Sequence, residues 1–340
     1  MTETITRDAL EYTPDVAAAT DHLYPKMRHL VTEAEWQLYA PLIAEINRLK
    51  KEKNACILAH NYQAPELFWG ISDYTGDSLG LARRAENSEA DVIVMCGVHF
   101  MAETAKLLNP ERTVLIPDLE AGCSLADSIT PEDIRELREQ WPDAPVVTYV
   151  NTSAAVKAEC DICCTSSNAV EVVESLAEST GAERVIFLPD GHLARYVAQK
   201  TDVEIVDWRG VCIVHDEFRA SDMRALRLAH PGIQVAVHPE CNEEVQAEAD
   251  TVGSTSQLRD YIETQRPEKV ALITECTMSG NLSAEFPDTE FIQPCSLCPY
   301  MKKITLEKVY CSLLTLEPKV EIDDEVAEGA RASLERMLAV

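Results

Sequence analysis

No stretch of this sequence approaches the run of about 18 apolar residues that spans a bilayer, so the chain is expected to fold in water. Its opening segment, MTETITRDALEYTPDV, is acidic and lacks the basic and apolar regions of a secretory signal; a cytoplasmic location follows. Basic runs longer than two residues, such as Lys50–Lys51 and Lys302–Lys303, are also missing. With 30 Lys and Arg against 58 Asp and Glu, the formal net charge is −28. Phosphate recognition needs clustered cations, so nucleic acid is excluded as a partner. Such a surface has two readings: adaptation to concentrated salt, which screens self-repulsion, or an ordinary acidic enzyme. The Cys-x₃-Cys-x₂-Cys spacing of radical-generating iron–sulfur enzymes is absent too.

Cysteine, by contrast, is plentiful. Twelve cysteines without a secretion signal point to metal binding or catalysis before a disulfide framework. Cys56, inside the apolar run CILA, reads as a small buried hydrophobe. Three others are spaced almost evenly: Cys123 to Cys212 is 89 residues, and Cys212 to Cys298 is 86. Each closes a unit whose first strand ends at His60, Tyr149 or His238, and these are 89 and 89 apart. The opening segments ACILAHNYQ (55–63), VVTYVNTSA (146–154) and IQVAVHPEC (233–241) are alike. A second row is read as VMCGVHFMAETAKLL (94–108), CCTSSNAVEVVESL (163–176) and TVGSTSQLRDYI (251–262). A fixed period signals a repeat architecture. Three units about a pseudo-threefold axis can bring three thiolates to one metal cluster.

Alternating strand and helix patterns within each unit imply parallel sheets and an α/β class. The first unit is expected to follow a helix at 41–52, with strands at 55–60, 91–96 and 113–117. Its helices fall near Ser78, with Asp77 as cap, and at 101–108. ThrProGluAsp at 130–133 starts the next helix. The second unit has strands at 146–150, 184–188 and 203–206; the third has them at 233–238, 269–273 and 289–292. Residues 1–40 are read as an N-terminal extension, and 299–340 as a helical tail returning to the first unit. The domains are therefore 41–123 with 299–340, 124–212 and 213–298.

Three thiolates without a fourth suit a [4Fe–4S] cluster with one open iron, which acts as a Lewis acid. A zinc site at Cys160-x-x-Cys163 and Cys295-x-x-Cys298 competes, although 132 residues separate the two pairs. ThrSerSer (165–167) and GlySerThrSer (253–256) follow strands and open helices, where N–H groups and hydroxyls hold anions; plain N-capping is the bland alternative. Polar residues at strand ends, in HisAsnTyr (60–62), TyrValAsn (149–151), CysIleValHis (212–215) and HisProGlu (238–240), share one rim and can exchange protons with a small anion. HisPheMet (99–101) is read as core or pocket wall.

In family order, the segments AHNY (59–62), GDSL (76–79), GVHFMAETAK (97–106), GCSL (122–125), YVNTSAAVKA (149–158), TSSNA (165–169), PDGHLARYV (189–197), CIVHDEF (212–218), HPE (238–240), GSTSQL (253–258) and CPYM (298–301) closely resemble the quinolinate synthases, transferases of de novo NAD biosynthesis. The resemblance spans about 55–301. It implies three pseudo-symmetric three-layer αβα domains with parallel sheets around a central cavity, and a [4Fe–4S] cluster on Cys123, Cys212 and Cys298. It implies that iminoaspartate and dihydroxyacetone phosphate give quinolinate, phosphate and two waters. It assigns substrate contacts to His60, Ser78, Tyr149, Asn151, Ser166, His238, Glu240 and Thr255, and proton transfer to Tyr62, Glu240 and His215. An aspartate oxidase or dehydrogenase that makes iminoaspartate is the implied partner. Some relatives carry a cysteine where this chain has Ile292, so a regulatory disulfide here would join Cys295 to Cys298. Two other classes stay open at this point: an iron–sulfur hydro-lyase for another hydroxy acid, and a non-catalytic iron–sulfur sensor.

Overall fold

A computed structural model describes residues 10–340. Among these residues twelve strands form three four-stranded sheets, all parallel. The first holds β1 (Ala55–His60), β2 (Tyr74–Gly76), β3 (Val92–Cys96) and β4 (Thr113–Leu115) in the order β2-β1-β3-β4. The second holds β5 (Val146–Tyr149), β6 (Ile162–Cys164), β7 (Arg184–Leu188) and β8 (Glu204–Asp207) in the order β6-β5-β7-β8. The third, β9 (Gln234–Val237), β10 (Thr251–Val252), β11 (Lys269–Ile273) and β12 (Glu290–Ile292), is ordered β10-β9-β11-β12. Helices cover the sheet faces, giving the repeated αβα architecture. Central strands are therefore buried on both sides and read as continuous apolar runs. Ile57, Leu58, Val147, Phe187, Val235 and Ala271 are wholly buried; each large aliphatic side chain so placed contributes about 1.5–3 kcal/mol.

The repeat extends to a device that no short motif announces. Asp73, Asp161 and Asp250 each accept the backbone N–H of the neighbouring central strand, at Ile57, Val146 and Val235, over 2.7–2.8 Å. Each also meets a cation from the preceding helix, Lys50, Arg138 or Arg227, at 2.9 Å. Those same cations reach the carbonyls of Ile71, Glu159 and Glu248. The ionic clasp thus fixes where each edge strand starts in all three units.

Several expectations shift. The helix expected at 41–52 runs Glu33–Glu52 and opens on a Thr32–Glu35 capping box. Pro41 invited the shorter reading because proline favours a first turn, yet here it lies inside the helix. The second row of the repeat also needs correction in the first unit. Sheet order makes β2 the counterpart of β6 and β10, so the segment matching 163–176 and 251–262 begins at Tyr74, not Val94. Of the tail, Leu306–Thr315 lies on the Glu33–Glu52 helix, and Val320 donates to Val114 of β4 at 2.9 Å. The last helix, Asp324–Ala339, packs chiefly on Ala154–Ala158 and β6 of the second sheet, where Cys163 Sγ meets Ser333 Oγ at 3.2 Å. No helix among the described residues is long and apolar enough to cross a membrane.

Candidate active site

The carboxyl ends of all three sheets face one cavity, as ligand sites of parallel sheets do. Two strand-end arms are built alike. Beyond β1, His60 Nδ1 accepts the backbone N–H of Tyr62 at 3.3 Å; beyond β9, His238 Nδ1 accepts that of Glu240 at 3.3 Å. A ring nitrogen that accepts carries no proton, so each neutral imidazole keeps its proton on Nε2. Burial drives the His60 pKa down to about 4 and the His238 pKa down to about 3. Near neutral pH both are uncharged donors.

A hydrogen-bonded chain crosses the cavity wall. Tyr149 donates its hydroxyl to Glu240 Oε1 at 2.6 Å, and His215 Nδ1 lies 2.8 Å from Glu240 Oε2. The other ring nitrogen of His215 is 2.9 Å from Thr274 Oγ1, which is 2.5 Å from the Tyr62 hydroxyl. The His215 and His238 rings stack at 4.5 Å between centroids. Burial alone would raise the Glu240 carboxyl, but His215 beside it and the hydrogen bonds from His215 and Tyr149 outweigh that and hold it well below the usual carboxylate range. Burial, then the Glu240 charge, push the Tyr62 and Tyr149 phenols well above their ordinary value. The wall therefore holds one carboxylate, neutral phenols and neutral imidazoles at its strand ends.

Hydroxyls come from equivalent places in the three sheets. Ser78 opens the helix after β2, Ser166 lies in the turn after β6, and Thr255 opens the helix after β10. All three line the cavity. Thr255 Oγ1 accepts from Asn61 at 2.9 Å, and Ser166 Oγ sits 3.5 Å from His238 Nε2. Asn151 lines the same space with its Oδ1 buried and without a hydrogen-bond partner, an acceptor suited to a ligand N–H or O–H.

Cys123, Cys212 and Cys298 occupy three copies of one turn. Each sulfur takes backbone N–H groups from the residues two and three places on: Leu125 and Ala126, Val214 and His215, Tyr300 and Met301. A short 3₁₀ helix starts three residues after each cysteine. The loops touch, since Ser124 Oγ donates to the Val211 carbonyl and accepts from the Ile213 N–H. All three sulfurs line the cavity, and no other cysteine does. Burial pushes the Cys123 thiol up to about 12 and raises Cys212 and Cys298. Thiolates here need a cation opposite them, which is the donor chemistry of a metal centre. Cys212 Sγ, a His215 ring nitrogen and a Glu240 oxygen lie within 4.8 Å of one another, so the sulfur side adjoins the acid–base chain.

The residues that the resemblance assigns to the cluster, the substrates and proton transfer all line this cavity: His60, Tyr62, Ser78, Cys123, Tyr149, Asn151, Ser166, Cys212, His215, His238, Glu240, Thr255 and Cys298. Phe100 and Met101 form part of its wall. Two cysteine readings fail. Cys160 and Cys163 are buried in the second unit against Val156 and Ser333, away from the cavity, so the zinc site does not form. Cys295 is bonded to Cys276, not to Cys298, which stays free; backbone pairing of Cys276 with Ser296 brings those loops together. Three further residues escaped sequence reading. Thr274 joins Tyr62 to His215, while buried Glu275 pairs with Lys302 at 3.0 Å. Lys302 also donates to the Tyr62 carbonyl and to Thr277 Oγ1, both at 2.6 Å. The available signal was position: Thr274 and Glu275 directly follow β11, and Lys302 comes four residues after Cys298.

A family model described as "Quinolinate synthetase A protein" matches residues 44–339. The quinolinate synthase of Caulobacter vibrioides strain NA1000 is 53% identical over 327 residues, covering 96% of this chain and 89% of its own length. Quinolinate synthase 2 of Mesorhizobium japonicum is 57% identical over 318 residues, 94% of this chain and 97% of that protein. The quinolinate synthase of Agrobacterium fabrum is 56% identical over 318 residues, with 94% and 91% covered.

Proposed function

The chain belongs to the quinolinate synthetase A protein family, and from that premise we propose that it is a cytoplasmic transferase that makes quinolinate from iminoaspartate and dihydroxyacetone phosphate. The balance is one quinolinate, one phosphate and two waters per pair of substrates. One observation carries the reading: three sulfurs, three hydroxyls at or just before helix starts and a carboxylate–imidazole–phenol chain converge on one cavity. A hydro-lyase or a sensor has no need of all three sets.

The donor set fits a [4Fe–4S] cluster on Cys123, Cys212 and Cys298, since three sulfurs share one cavity, each receives two backbone N–H groups, and no fourth cysteine is present there. When bound, such a cluster supplies an iron with one open position as a Lewis acid. The chain's own residues do the rest. Ser78, Ser166 and Thr255 hold the phosphate and carboxylate groups at the helix starts. His60 and His238 donate from Nε2 to substrate oxygens without bringing charge, which keeps them from competing as proton sources. Tyr149 and Asn151 orient the iminoaspartate. Glu240, paired with His215, and Tyr62 hold and move protons as one carbon–nitrogen and one carbon–carbon bond form and phosphate and two waters leave. The units 41–123 with 299–340, 124–212 and 213–298 act as domains around this space, the last helix of the first reaching across to pack on the second, and an aspartate oxidase or dehydrogenase supplies the unstable imine.

The test is an anaerobic assay of the iron-loaded protein with oxaloacetate, ammonia and dihydroxyacetone phosphate. Quinolinate released together with one equivalent of phosphate is the expected result. Loaded protein that forms neither overturns the assignment.

A further inference from the structure

We propose that Lys157 positions Asn151 for its contact with iminoaspartate, an inference that rests on the role given to Asn151 above. Asn151 lies in the turn between β5, which ends at Tyr149, and the short helix Ala154–Ala158. Its Oδ1 is buried without a hydrogen-bond partner and faces a cavity that, among the described residues, no lysine or arginine lines. The chain's own hold on a dicarboxylate there comes from polar groups whose effect depends on their aim. Something must therefore set the direction of Asn151, and its own side chain does not.

Lys157, on that short helix, is wholly buried, a place where lysine is rare unless paired. Its hydrogen bonds go to backbone carbonyls and not to a carboxylate. Nζ donates to the Val150 carbonyl at 2.8 Å and to the Thr152 carbonyl, the residues on either side of Asn151. It also stands 5.5 Å from the centroid of the Phe100 ring, part of the cavity wall. One nitrogen thus pins the chain immediately before and after Asn151. Charged or neutral, it has N–H groups for both carbonyls, so the grip does not depend on its protonation. Two more bonds close the turn. The Val150 N–H donates to the Cys164 carbonyl at the end of β6 over 2.9 Å, and Thr152 Oγ1 donates to the Tyr149 carbonyl at 3.2 Å. Glu103 accepts the Ala154 N–H at 3.0 Å and anchors the start of the helix that carries the lysine. With the backbone held on both sides, the Cα–Cβ direction of Asn151 is fixed, and its Oδ1 keeps its place in the wall.

The experiment compares iron-loaded Lys157→Met, Asn151→Ala and the Lys157→Met/Asn151→Ala double variant. Methionine keeps the length of the side chain and removes the donors. Lys157→Met and Asn151→Ala should each lower kcat/KM for oxaloacetate, the source of the imine in the assay above, about tenfold or more. KM for dihydroxyacetone phosphate and the iron and sulfide content should stay at wild-type values. The double variant should be no worse than Asn151→Ala, because residues acting as one unit are not additive. Should methionine prevent folding, Lys157→Gln, which keeps an N–H donor on a shorter arm, carries the same comparison. Wild-type kinetics in the Lys157 variant beside a crippled Asn151→Ala overturn the role of Lys157 and leave that of Asn151 standing. Multiplicative losses in the double variant, KM raised for both substrates, loss of iron, or failure of both lysine replacements to fold also overturn it, since each makes the lysine a structural residue only. A fully active Asn151→Ala overturns the underlying assignment of Asn151, and the inference with it.

Discussion

At the end of the first strand in the first unit, His60 receives the N–H of Tyr62; in the third unit, His238 receives that of Glu240, over the same 3.3 Å. The backbone device is copied, and so are the buried, neutral imidazoles it fixes. What differs is the side chain delivered two residues later. Tyr62 is a phenol kept uncharged by burial, whereas Glu240 is a carboxylate kept charged by His215 and by the hydrogen bond from Tyr149. A repeated fold thus supplies equivalent positions and lets each carry its own chemistry. The sulfur loops show the same division. Cys123 and Cys298 sit in matching turns, but the former is tied to the second unit through Ser124, and the latter is clamped within reach of Glu275 by Lys302 and by the Cys276–Cys295 bond.

The largest test of that equivalence is at the sulfurs. Cys123→Ser and Cys298→Ser, made and loaded anaerobically, should both lack the iron and sulfide of one cluster and all activity. Cys295→Ser, which only opens the bond to Cys276, should retain both. Iron retained in Cys298→Ser and lost in Cys295→Ser would move the ligand to the other cysteine and break the match with the first unit.

Next in size is the pair of delivered groups. Glu240→Gln and Tyr62→Phe should keep iron and sulfide but each lose about 10²-fold or more in turnover, the usual weight of a general acid or base. Glu240→Gln should be the more severe, because it strips both Tyr149 and His215 of a charged partner. Near-normal rates in either variant would show that the chemistry lies elsewhere on the wall.

A smaller effect sharpens the shared part of the device. The folded pKa values of His60 and His238, about 4 and about 3, lie below the unfolded value of about 6.5. The unfolded chain therefore takes up protons that the folded one refuses. Stability should fall as pH drops below about 6.5, by at most about 1.4 kcal/mol per pH unit per histidine, until each folded pKa is passed. His60→Gln and His238→Gln should flatten the same acid limb above about pH 4 in denaturant titrations. If only one does so, the two arms are not equivalent.

Salt acts on the surface that all three units share and should leave these differences untouched. If the −28 charge reflects adaptation to brine, the unfolding temperature should climb steadily from dilute buffer to molar KCl. An unfolding temperature indifferent to salt would assign the acidity to an ordinary enzyme surface.

Local and periodic features were legible without coordinates. Apolar runs closing on His60, Tyr149 and His238, and cysteines at nearly the same interval, are set by neighbours along the chain, so they specify an α/β repeat and its strand ends. Edge strands β2, β6 and β10 are only two or three residues long, too short for a pattern, and the helical look of 97–108 drew the repeat register to the wrong strand. What the tertiary structure alone decided is non-local. Thr274 reaches Tyr62 across 212 residues, and Lys302 reaches the Tyr62 carbonyl across 240. Cys276 finds Cys295 because two loops pair. Residues of ordinary type in ordinary positions become a site only where packed sheets bring their strand ends to one point, and that packing is written in the sum of many contacts, not in any one segment.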